Sequence, residues 1–298
     1  MKGYLIFPFL SSLLYVVGVL LMKRSADFRV GVWRTTFVSN VVAALVFTVL
    51  LPRGGEIHWD RMLEPLAVAV LFVGGQAFTY LALETGDVSV ATPAMGSKTI
   101  LVAWLSVLLL RVSVPWQLWV SALLTFAAIL LLNHRPRSHA ASSEAHGGAL
   151  RTIALSLVAA LCYALFDVLV QKWSPAWGAG RFLPVMFGCC ALLSLTFVPW
   201  FSAPLRAIPR AAWPWLGGGS LFIAFQALSL VTSLAVYGDA TSMNVVYSAR
   251  GLWSVLAVWW VGHWFGNREH QQGAAVLRLR LLGAVMMTAA IIIALLRH

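Results

Sequence analysis

Charge is scarce in this sequence. Only 10% of its 298 residues are Asp, Glu, Lys or Arg, against about 25% in an ordinary soluble domain. Such a chain cannot cover itself with polar surface, so its principal solvent is lipid. Acidic residues are the rarest, with 10 Asp and Glu against 21 Lys and Arg. The net charge of +11 favours anionic headgroups and anionic solutes as partners. It does not point to nucleic acid, because the basic residues are scattered through short loops and form no stripe with interleaved aromatics. Cysteine is nearly absent as well. Cys162, Cys189 and Cys190 lie in apolar runs with neither metal-ligand nor disulfide-framework spacing, so neither metal nor cofactor is expected and they read as small packing residues. Also missing at midplane depth are a His/Glu metal spacing and a Ser-His or Cys-His constellation. His263 and His270 stand at the end of an apolar run without a nearby acid. These absences argue against an enzyme.

What the chain has in abundance is apolar length. Sixty per cent of it is hydrophobic, 60% by count of Ala, Val, Ile, Leu, Met, Phe, Trp, Tyr and Cys. A spanning helix needs about 20 mostly apolar residues, which predicts ten spans at 4–22, 31–51, 65–83, 88–110, 116–133, 152–171, 182–201, 213–235, 241–263 and 277–296. The first run ends in Met22-Lys23-Arg24-Ser25 without a small-x-small cleavage site, so it reads as a span rather than a signal peptide. Turn chemistry separates the runs, as in Pro52-Arg53-Gly54-Gly55, Gly178-Ala179-Gly180 and Gly266-Asn267-Arg268-Glu269. Trp59, Trp116, Trp119, Trp173, Trp177, Trp213, Trp215 and Trp264 fall near run ends, as an interfacial aromatic belt requires. One polar stretch, His134 to Gly148, divides the chain near its midpoint.

The division is into related halves, 1–133 and 151–298, joined by the linker 134–150. Ser12-Leu13-Leu14-Tyr15 is echoed by Ala160-Leu161-Cys162-Tyr163, and Gln76-Ala77-Phe78-Thr79 by Gln226-Ala227-Leu228-Ser229. Gly86-Asp87 precedes Lys98 at the same interval as Gly238-Asp239 precedes Arg250. Five spans per half is an odd number, so the second half enters the membrane in the opposite orientation. The fold expected is an all-α integral membrane protein of ten transmembrane helices in two inverted five-helix repeats, with a substrate site at the repeat interface near the midplane.

Lys98 and Arg250 mark that site. Each lies deep inside a spanning run, where an unpaired cation costs roughly 2.5–3.5 kcal/mol on insertion scales. At roughly 100° per residue, Met243, Tyr247, Arg250 and Ser254 share a face of the ninth span, with Asn244, Ser248 and Gly251 beside it. Gln76, Thr79 and Tyr80 align on the third, and Gln226, Ser229 and Ser233 on the eighth. Tyr15 stands on the first span and Tyr163 with Asp167 on the sixth. Bland roles compete with substrate contact for each of these. The glutamines serve equally as links between helices, the tyrosines as packing, and Lys98 with Arg250 as structural partners of Asp167.

Taken together, the repeat pattern, the polar positions and the closing segment Arg280–Ile291 resemble the drug/metabolite transporter superfamily, and within it the EamA-like ten-helix carriers. Arg111-Val112 and Gly266-Asn267 stand where the family has Gly-Glu. The resemblance implies that spans 1, 3, 4, 6, 8 and 9 surround the cavity, and that the termini are cytoplasmic in the cell inner membrane. The positive-inside rule leans the other way. A Lys on the fourth helix and a basic residue on the ninth also resemble organic-phosphate carriers of the same superfamily, in which cations bind the phosphate.

The expected function is a secondary transporter that moves a small organic solute, an anionic metabolite, by alternating access. Lys98, Arg250, Gln76, Tyr80, Gln226, Asn244, Tyr247, Tyr15 and Tyr163 are the candidate substrate contacts, and Asp167 is the coupling or counter-ion group. The alternatives are an exporter of amino acids or drugs coupled to protons through Asp167, and an intramembrane enzyme acting on a lipid-linked phosphate. Partners reduce to the solute and membrane lipids, with the protein a monomer or homodimer.

Overall fold

The computed structural model describes residues 3–85, 91, 94–132, 143–261 and 274–296. Among them there is helix and no strand. In hydrocarbon every backbone N–H and C=O has to be satisfied within its own segment, and the α-helix does this. In chain order the helices are α1 Ile6–Ala26, α2 Val32–Phe47, α3 Leu63–Thr85, α4 Lys98–Leu110, α5 Trp116–Leu132, α6 Ser143–Trp177, α7 Ala179–Leu193, α8 Trp213–Tyr237, α9 Ala240–Tyr247, α10 Arg250–Val261 and α11 Ala274–Leu295. Among the described residues seven helical segments are long and apolar enough to cross a membrane, and Ala94–Leu110 and Trp116–Leu132 are shorter apolar helices. Each of the ten expected spans therefore holds a helix or a pair of helices. The protein is a multi-pass membrane protein.

Three boundaries differ from the sequence reading. Helix α6 begins at Ser143, so part of the expected linker is helical. Short 3₁₀ segments, Thr48–Arg53 and Ser194–Trp200, continue α2 and α7. The ninth span, expected as one helix, is two. Gly86-Asp87, residues 134–142, His263, Gly266-Asn267-Arg268-Glu269 and His270 lie outside the described residues. Gly238 has φ 63°, and its N–H closes α8 on the Leu234 carbonyl. That is the left-handed C-cap for which glycine is suited.

The helices gather into two compact units, Met1–Leu5 with Gly74–Val168 and Ala240–His298, and Ile6–Val73 with Leu169–Asp239. Within the second unit α1 packs along α8, and α2 packs on α7. Within the first, α5 packs on α11 and α4 on α9. In the pairs α2–α7, α5–α11 and α4–α9 the two helices come from opposite halves of the sequence.

Many small residues are buried at helix contacts beside large ones such as Phe47, Phe182 and Phe187, while other large apolar residues face outward. Ala69, Ala82, Ala103, Ala122, Ala128, Ala159, Ala164, Ser11 and Ser121 are buried, while Leu45, Leu63, Trp59, Trp116 and Leu281 are exposed. With lipid as solvent, close backbone approach replaces hydrophobic burial as the source of helix association. Trp177 departs from the expected belt. It is fully buried, and its Nε1 donates to Glu64 Oε2 at 2.9 Å. Helix α1 crosses α8 on glycines. A Cβ on Gly18 would stand 2.9 Å from the Ile223 side chain and 3.1 Å from its backbone nitrogen. Gly18→Leu is therefore expected to cost about 1–3 kcal/mol by overpacking, measured as a lowered unfolding midpoint; an unchanged midpoint would place the crossing elsewhere.

Candidate functional site

Both signature cations are the first residues of helices that restart after a break. Before α4, the Ser97 N–H bonds the Ala94 carbonyl at 3.2 Å, and its hydroxyl donates to the same oxygen at 2.7 Å. Before α10, the Ser248 N–H reaches Val245 at 3.2 Å and the Ala249 N–H reaches Val246 at 3.1 Å, while the Ser248 hydroxyl donates to the Val245 carbonyl at 2.5 Å. These i to i−3 bonds tighten the backbone, and a serine hydroxyl that occupies a nearby carbonyl competes with the regular helical ladder. The local signals are Gly96-Ser97-Lys98 and Ser248-Ala249-Arg250-Gly251, since Gly/Ser pairs are common points of helix interruption. A continuous helix would have carried the same cations with no irregular backbone beside them.

Asp167 gathers three helices at one oxygen. From α6, its Oδ2 accepts from Lys98 Nζ of α4 at 2.7 Å and from Asn244 Nδ2 of α9 at 2.7 Å. Asn244 is itself tethered, donating to the Ala240 carbonyl at 2.9 Å. The Asp167 residue is only 1% exposed, so its charge depends on these two donors. The Lys98 side chain keeps 15% exposure, and its ammonium lies 5.8 Å from the centroid of the Tyr163 ring, within the range of a cation–π contact. That ring is seated by Gly75 of α3, where a Cβ would stand 3.0 Å from it. A side chain at Gly75 would require the Tyr163 ring to give by a few tenths of an ångström.

Arg250 is held by its own turn. Its Nη1 donates to Tyr247 Oη at 3.0 Å, and its guanidinium carbon lies 4.5 Å from the centroid of the same ring. Lys98, Asp167, Asn244, Tyr163, Tyr247 and Arg250 thus fall in the first unit, as do Gln76 and Tyr80 on α3, both half-buried.

Tyr15 and Gln226 fall in the second unit. Tyr15 is half-buried on α1. Gln226 links helices: its Nε2 donates to Ser11 Oγ at 3.0 Å, and Ser11 Oγ donates to the Gln226 carbonyl at 2.9 Å. One step along α8, Ser229 Oγ donates to the Phe7 carbonyl at 3.0 Å. The polar face of α8 bonds α1. The sequence singles out Lys98, Arg250 and Asp167, and all three fall in the first unit. It gave Asn244 no role as the tether of Asp167, and it did not find Gly75, whose only signal was a Gly74-Gly75 pair beside Gln76.

Chemically, the cluster is a buried ion pair, with a second cation in the same unit, and both cations begin helices that restart after a break. Such breaks line substrate sites in secondary transporters. Comparison with known proteins agrees with this architecture. Residues 1–134 match the EamA-like transporter family. No curated protein sequence matches the chain. Among solved structures, one crystal structure of a protein superposes with a TM-score of 0.75 at 14% identity, covering 99% of this chain and 96% of that one. At that identity the likeness concerns the fold alone.

Proposed function

We propose that this chain, whose residues 1–134 match the EamA-like transporter family, is a membrane transporter of small solutes, with an anionic metabolite as cargo and Lys98 with Arg250 as its receptors. The observation that carries this reading is the placement of both cations at helix restarts, Lys98 paired to Asp167 at 2.7 Å. In this reading Asp167 is the resident counter-ion. It neutralises Lys98 when the site holds no cargo and is exchanged for a phosphate or carboxylate when cargo arrives. Arg250 adds a planar fork suited to bidentate binding, and Lys98 a point charge. Tyr163 and Tyr247 hold the cations, with Gln76 and Tyr80 on α3 as further contacts. The two repeats alternate access about this point in the cell inner membrane. A second reading follows from the same carboxylate, because Asp167 is also a receptor for the ammonium of an amino acid or a cationic drug.

A thermal-shift screen of the purified protein separates the two readings. A ligand that binds only the folded state stabilises it by about 2.7 kcal/mol at a hundredfold excess over Kd. Organic phosphates and carboxylates are expected to raise the midpoint, and Arg250→Ala is expected to weaken their binding by about 10- to 150-fold, as loss of a charged hydrogen bond worth about 1.5–3 kcal/mol implies. Shifts given only by neutral amino acids or cationic drugs would transfer the site to the second reading.

A further inference from the structure

We infer that the anion travels with a proton carried on Asp167, so that cargo and proton cross in the same direction. The inference rests on the anion reading above. Lys98 and Asp167 are bound to each other, at 2.7 Å. An arriving anion therefore competes with the Asp167 carboxylate for the same ammonium, and cannot bind Lys98 fully while that pair persists.

Displacement leaves Asp167 in a changed position. Its Oδ2 retains the Asn244 amide at 2.7 Å, but it has lost its ammonium while being 1% exposed. One neutral amide does not support a buried carboxylate. Burying an uncompensated charge costs several kcal/mol, and such a group neutralises instead. A proton from the aqueous phase that admits the cargo forms an O–H bond on the carboxyl group. One oxygen still accepts from Asn244, and the new hydroxyl is a donor available to the cargo. On the far side the steps reverse: the anion leaves, Lys98 returns to Asp167, and the proton departs to water. No other bond forms or breaks.

The neighbouring groups set the balance. Lys98 from α4 and Asn244 from α9 contact the carboxylate directly. Tyr163, one turn earlier on α6, faces Lys98, and Arg250 at the start of α10 donates to Tyr247. The cations bind the cargo, so the carboxyl is the group left to change its protonation. Asn244 is a positioning residue, since it holds the carboxyl at the same place in both states.

The test is isothermal titration of the full-length protein in detergent with sulfate, glycerol 3-phosphate and malate, each in buffers of differing ionisation enthalpy. Sulfate has no proton to exchange near neutrality, so its heats report the protein's proton alone. The expected result is binding that Lys98→Ala abolishes, with uptake of about one proton per anion. Asp167→Asn is expected to bind the same anions about tenfold more tightly, its competitor for Lys98 having gone, and to take up no proton. Lys98-dependent binding without proton uptake in the unaltered protein overturns the inference and leaves the anion site standing. Equal proton uptake by Asp167→Asn overturns it too. If no probe binds, the anion reading fails and takes the inference with it. Should Asp167→Asn not fold, the proton count of the unaltered protein decides alone.

Discussion

Lys98→Met is expected to destabilise the protein by about 3–5 kcal/mol and to remove anion binding together. The first effect follows from what is left behind. Asp167 is 1% exposed, and without the ammonium at 2.7 Å it is a buried charge held by one amide; breaking such a pair from one side costs this much. The stability loss alone does not distinguish a substrate site from a structural brace, because both predict it. The double variant Lys98→Met/Asp167→Leu does. Replacing a whole buried pair by apolar residues of similar volume is often neutral or stabilising by about 1–4 kcal/mol, so the double variant is expected to regain the unfolding midpoint of the parent. If Lys98 is the receptor, the restored protein still shows no midpoint shift with organic phosphates or carboxylates. Recovery of both stability and ligand response in the double variant would make the pair a brace and move the site elsewhere. A single variant as stable as the parent would mean that Asp167 does not depend on Lys98 for its charge.

The sequence disclosed this site unevenly, for physical reasons. Apolar runs and charges that interrupt them are one-dimensional features, so the ten spans, Lys98, Arg250 and Asp167 could be read directly. Which acid faces which cation is a matter of tertiary packing. Lys98 and Arg250 each stand eleven residues after a Gly-Asp pair in opposite halves of the sequence, yet Lys98 pairs with Asp167 while the Arg250 guanidinium lies against Tyr247. The same holds for the matched glutamines. Gln226 bonds Ser11 across α1 and α8, a partner that its position in the sequence did not reveal. The helix breaks were hidden for another reason. They depend on a serine hydroxyl turning back to a carbonyl three residues earlier, and hydropathy averaged over a span is blind to it. The Gly-rich turns were visible singly, at Gly54-Gly55 and at Gly178-Ala179-Gly180, but nothing in the chain announced that they pack on each other.

That junction carries the other large effect: Gly180→Ala is expected to cost about 3 kcal/mol or more and to deplete the folded protein. A Cβ at Gly180 would stand 2.5 Å from the Gly54 carbonyl oxygen, 2.7 Å from that of Leu50 and 3.0 Å from the Gly54 nitrogen. All three are backbone atoms, so no rotamer change relieves the contact. The segments are also fixed to one another. The Glu56 N–H donates to the Trp177 carbonyl at 3.0 Å, and Arg181 Nη1 donates to the Leu51 carbonyl at 2.8 Å. Relief thus requires the turn after α2 to move away from the start of α7, breaking bonds that satisfy both. The intrinsic preference of helices for alanine over glycine, about 1 kcal/mol, offsets only part of this. Gly188→Ala supplies the control, since on the same helix a Cβ there meets nothing within 4 Å and the helical gain stands alone. Thermal unfolding and size-exclusion yield of the two variants measure the difference. Equal midpoints would deny the close approach. The fraction of Gly180→Ala that does fold should bind anions with unaltered affinity, because the substitution touches neither Lys98, Asp167 nor Arg250, and a loss of affinity in that fraction would mean that the turn shapes the site as well as the scaffold.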